Sequence, residues 1–174
     1  FANYFSRLYN EYKNGTDEVQ LWVRAFNLST IIGDWTNNYR RPLVVLDSID
    51  PTTTVNDNYS TVYGAEVLHM LRKQVGEENW IKIIRQYVTQ FSGKLVTTDN
   101  FFNVVQEITG QSMHWFFDQW IYKMGHPVFE VKKEYSTDRK ELKLFIKQVQ
   151  TQDTTSQYPQ AKFFQGNLEV EIDG

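Results

Sequence analysis

The hydrophobic period of this chain changes once, at Gly125-His126-Pro127, and that change limits the folds open to it. Ahead of it, apolar residues recur at a spacing of about 3.6, as in amphipathic helices; behind it they alternate, as in strands with one wet face. The stretch 112–128, SMHWFFDQWIYKMGHPV, forms the joint. Ser112 is placed to cap a helix. Trp115, Phe116, Trp120 and Met124 share a heavy apolar face, Gly125 suits a left-handed stop, and Pro127 bars a restart. The expected fold is therefore α+β: a helical bundle over residues 1–126, then antiparallel strands over 127–174.

The helical part reads as a series of short amphipathic segments. Residues 1–13 place Phe1, Phe5, Leu8, Tyr9 and Tyr12 on one face and stop at Asn14-Gly15. Thr16 is placed to cap a second helix reaching about residue 35, with Val19, Trp22 and Phe26 inward. From 36 to 60 the period fails, apart from a short apolar piece, Leu43 to Leu46. A third helix spans 63–75 and stops at Gly76. A fourth opens on Glu77-Glu78 with Trp80, Ile81, Ile84, Tyr87 and Val88 inward. A fifth, capped by Thr97 or Thr98, carries Phe101, Phe102, Val105 and Ile108 to Gly110. Short turns between such helices favour a bundle of antiparallel neighbours. Past Pro127, alternation predicts strands at 129–135, 142–147 and 168–172.

Composition narrows the function. Net charge is −3 with basic residues dispersed, which argues against a phosphate-tracking surface and so against nucleic acid. No apolar run approaches the ~20 residues that span a bilayer. With no cysteine, disulfides, thiol catalysis and Cys-held zinc are excluded. The first residues, FANYF, read as a helix already under way, which suggests a segment of a larger protein.

Few residues carry chemistry. His69, His114 and His126 are not at metal-ligand spacing, and the His-Glu-x-x-His pair is absent. His69 reads as a packing residue, His126 as part of the joint, and Glu77-Glu78 as a solvated first turn. Tyr63, just ahead of Gly64-Ala65 at a helix start, can point its hydroxyl into a cleft, where a phenol can donate to a developing oxyanion. It can equally pack under the preceding loop. Taken alone, the segment should be catalytically inactive.

GAEVLHMLRKQVG (64–76), the helix 98–110, FFDQW (116–120) and GHPV (125–128), taken in this order and spacing, resemble the zinc aminopeptidase N family, the gluzincin aminopeptidases. FANYF resembles the residues that follow Asn-Glu-Gly in that family. The resemblance implies that residues 1–126 are the helical C-terminal half of a thermolysin-like catalytic domain and 127–174 most of a small β-sandwich domain. It also implies a zinc ion whose ligands lie upstream of Phe1, with none in this segment. The implied partners are a peptide substrate and the preceding part of the catalytic domain. The family's Tyr-x-Lys-Gly-Ala motif supplies a tyrosine that stabilises the tetrahedral intermediate. Matching Thr-Val-Tyr selects Tyr63, with two residues absent before Gly64; matching Gly-Ala without a gap puts Thr61 in the tyrosine's place. Tyr59 is a further candidate, and the lack of any catalytic tyrosine stays open.

The function this resemblance implies is that of a zinc-dependent metallopeptidase removing N-terminal residues from peptides. The altered motif admits an alternative, a peptidase-like scaffold used in protein–protein assembly.

Overall fold

A computed structural model describes residues 1–16, 25, 29, 33, 40–45 and 59–172 of the chain, Tyr59 by its backbone alone. Most of the second expected helix, and Leu46, fall outside the described residues. The elements are α1 (Ala2–Asn14), a π-helical turn (Tyr59–Tyr63), α2 (Gly64–Val75), α3 (Glu77–Phe91), α4 (Thr98–Thr109) and α5 (His114–Phe117). A second π-helical turn (Asp118–Tyr122) and two strands, β1 (Phe129–Ser136) and β2 (Glu141–Gln148), follow. The chain is α+β, as its two periods imply.

Local chemistry sets the helix boundaries. Gly76, at φ 82°, ends α2 and opens α3, a conformation that costs glycine little. Thr97 caps α4: Asn100 Oδ1 accepts from its backbone N–H at 2.8 Å and from its hydroxyl at 3.2 Å. Gly110 closes α4 in the left-handed conformation, φ 65°, its N–H on the Gln106 carbonyl.

The core lies where α1, α2, α3, α4 and the 113–124 stretch meet. Tyr4, Leu71, Ile83, Val104 and Val105 are fully buried there. Aromatic rings fill the centre edge-to-face: Phe101 meets Phe1 at 5.2 Å and Tyr87 at 5.1 Å, and Tyr4 meets Trp80 at 5.4 Å. On α3 the inward face is narrower than expected. Ile83 is 0% exposed, whereas Ile81 and Val88 are 44% and 55% exposed. Trp80, Ile83, Ile84 and Tyr87 follow the i, i+3, i+4, i+7 stripe, and Ile81 and Val88 stand beside it.

The joint differs from its expected form. Ser112 is exposed and makes no cap; Met113 precedes the helix. Regular α-helix lasts only through Phe117, and the π-helical turn ends at an extended Lys123, short of Gly125. A π-turn takes in an extra residue and widens the buried sector, so Phe117 and Ile121 are buried along with Phe116, Trp120 and Met124. Trp115 is only half-buried.

β1 and β2 pair antiparallel, Phe129 opposite Gln148 through Ser136 opposite Glu141. Both faces of this hairpin stay largely exposed, so the expected division into a wet and a dry face is not seen. Nor do residues 168–172 form a third strand. The segment between is held by other means. Met124 donates to the Pro159 carbonyl at 2.9 Å, and Ala161 and Phe164 reach into the helical core.

Candidate functional site

Tyr63 closes the first π-helical turn with helical backbone angles, φ −61° and ψ −40°, so the turn runs straight into α2. Its side chain is partly buried against the core, and the hydroxyl oxygen itself is buried from solvent in this structure. Thr61 is exposed, and Tyr59 opens the same turn. The structure thus places all three candidates within five residues of π-helix, a geometry often found at functional sites.

One residue that carries no sequence signal, Arg41, holds this turn. Arg41 is buried and donates from Nη2 to Ser60 Oγ at 2.9 Å. The same guanidinium donates from Nη1 to the Pro42 carbonyl at 2.9 Å. Val44 N–H donates to the Ile121 carbonyl at 3.0 Å, so the stretch 40–45 ties one π-helical turn to the other. Arg41 lies in a non-periodic loop, where no pattern distinguishes it from the neighbouring Arg40.

A charged cleft of about 290 Å³ lies beside α1 and α2, lined by Arg7, Glu11, His69, Arg72, Lys73 and Glu77 among others. Arg7 pairs with Glu66, and Arg72 pairs with Glu77 at 2.6 Å and Glu11 at 3.3 Å. These pairs give the largely buried guanidinium groups their partners; those to Glu66 and Glu11 fix α1 on α2, and that to Glu77 joins α2 to α3. Burial pushes the Tyr4 hydroxyl up to about 12, with Arg72 opposing. Burial, then the Arg7 charge, holds His69 below its ordinary value, and its Nδ1 finds no hydrogen-bond partner among the described residues. Glu78 is exposed and pairs with Lys82 at 2.6 Å, as a solvated first turn allows.

The histidines stay apart, each lining a different cleft: His69 this one, His114 one beside Phe102, and His126 one beside Met124. The exposed His114 ring lies tilted against Phe102, their centroids 4.6 Å apart. Burial and Arg40 hold His126 below its ordinary value. Among the described residues no three His, Asp or Glu side chains stand close enough to hold a metal ion. These residues therefore do not fit a zinc ion.

Comparison with known proteins gives this geometry a family. The Peptidase family M1 domain matches residues 1–120. Aminopeptidase A of Gloydius brevicauda is 31% identical over 91 residues, which are 52% of this chain and 10% of that protein. Aminopeptidase N of Escherichia coli (strain K12) is 30% identical over 102 residues, 57% of this chain and 12% of that protein. The chain therefore spans only a small part of the curated relatives it matches. A crystal structure of Legionella pneumophila aminopeptidase A in complex with aspartic acid superposes with a TM-score of 0.66. It covers 84% of this chain and 16% of that one at 19% identity, a likeness of fold. With that family matched over residues 1–120 of 174, this chain belongs to peptidase family M1.

Proposed function

We propose that the protein carrying this chain is a zinc-dependent aminopeptidase that removes N-terminal residues from peptides. The family match over residues 1–120 carries this reading, and the relatives named above are aminopeptidases. Residues 1–126 then form the helical part of a thermolysin-like catalytic domain, and 127–174 form most of a small β-sandwich domain. The zinc ligands come from residues preceding Phe1, and the peptide binds between that part and this one.

Within this segment, Tyr63 is the residue that acts on the substrate. Its phenol, at the end of a π-helical turn just ahead of Gly64-Ala65, donates a hydrogen bond to the oxyanion of the tetrahedral intermediate. A donor of this kind acts on charge that develops only in the transition state, so its loss falls on kcat more than on KM. In the full-length protein Tyr63→Phe is expected to lower kcat about 100-fold with KM little changed. An unchanged kcat removes Tyr63 from the mechanism and turns attention to Tyr59.

A further inference from the structure

The stretch 40–45 grips the Tyr63 turn on both sides of the tyrosine. Three residues before it, Ser60 Oγ accepts from Arg41 Nη2 at 2.9 Å. Immediately after it, Leu43 Cδ1 stands 3.5 Å from where a Cβ on Gly64 would sit. The stretch is itself anchored by Val44 N–H on the Ile121 carbonyl.

Arg41 is the unusual member of this arrangement. It is 6% exposed, and burying a guanidinium is costly unless its N–H groups are directed at acceptors. An aliphatic side chain could fill the same space more cheaply. What it could not supply is a directional hold on the π-helical turn, whose i to i+5 bonding departs from the phase of α2. The direction in which the last side chain of that turn points depends on what holds the turn.

We infer that Arg41 is a positioning residue for the Tyr63 hydroxyl, acting through Ser60 without touching the substrate. This rests on the reading of Tyr63 as oxyanion donor. It predicts that Arg41 matters to turnover only while the hydroxyl is there to be aimed.

The test is a double-mutant cycle in the full-length protein, with kcat and KM measured on alanine p-nitroanilide. Arg41→Gln is expected to lower kcat about 10-fold, within the range for a misplaced group, with KM changed less than about two-fold. In a Tyr63→Phe background the same substitution is expected to change kcat no further. Should Arg41→Gln fail to fold, Ser60→Ala removes the acceptor alone. It is expected to cost about three-fold in kcat, again only when Tyr63 is present. A role in stability alone would reduce activity equally in both backgrounds. That result, or unchanged kcat in both single variants alongside a damaged Tyr63→Phe, overturns the role of Arg41 and leaves Tyr63 standing. Wild-type kcat in Tyr63→Phe overturns both.

Discussion

The side-chain amide of Gln119 and the backbone of Gln165 form a closed pair. Gln165 N–H donates to Gln119 Oε1 at 2.9 Å, and Gln119 Nε2 donates back to the Gln165 carbonyl. The same arrangement recurs twice. Gln148 pairs with the backbone of Phe164 at 2.6 and 2.8 Å, and Gln160 with that of Asp153 at 2.5 and 2.7 Å. A primary amide offers one donor and one acceptor side by side, as a backbone residue does in a strand. Three glutamines thus fasten the segment after β2 where a neighbouring strand would otherwise do so.

Of the three, Gln119 is the one that joins this segment to the helical core, and it is itself buried at 5% exposure. Gln119→Leu keeps the volume but leaves the Gln165 amide without its partner. Stability is expected to fall by about 1–3 kcal/mol in denaturant unfolding. Hydrogen exchange at the Gln165 amide is expected to accelerate in the same variant. Unchanged exchange there would mean that the pair does not hold the segment.

The narrow inward face of α3 makes a paired prediction. Ile83 is fully buried, so Ile83→Ala should cost about 2–5 kcal/mol through lost burial and the cavity left behind. Val88→Ala, on the exposed side of the same helix, should stay within about 0.5 kcal/mol. Comparable losses at the two positions would place the core-facing stripe elsewhere.

The shift at His69 has a defined sign. Its pKa in the folded protein lies below 6.5, the value of an unhindered histidine. The unfolded chain therefore takes up a proton first as pH falls. The corresponding stability is whole above pH 6.5 and is lost as pH drops below it toward the folded value. His126 is shifted in the same direction and adds to the effect. His69→Gln is expected to flatten, though not abolish, the fall in the denaturant midpoint below pH 6.5. An equally steep fall in the variant would show that His69 does not contribute.

How far the sequence revealed this structure depended on whether the determinants were local. Gly76, Thr97 and Gly110 act within a turn or two of chain, and the helices end where these residues placed them. The inward face of α3 was misjudged at Ile81 and Val88 because several apolar stripes on one helix satisfy a helical period. Only the neighbours α2 and α4 select among them. The π-helical turn at 118–122 leaves no periodic mark, so Phe117 and Ile121 did not stand out as core. Residues 168–172 alternate well but form no strand. Pairing needs the segment brought alongside an edge in register, and the glutamines that fasten the preceding segment elsewhere look in sequence like an ordinary polar loop. Tyr63 was singled out by its place before Gly64-Ala65 and by family resemblance. Arg41 became visible only through its bond to Ser60.

The most direct measurement is to incubate the full-length protein with a peptide carrying a free N-terminus and with its N-acetylated twin, following both by mass spectrometry. The account predicts stepwise loss of single residues from the free N-terminus only, stopped by a zinc chelator and restored by zinc. Cleavage inside the peptide, equal attack on the acetylated twin, or no cleavage at all would contradict it.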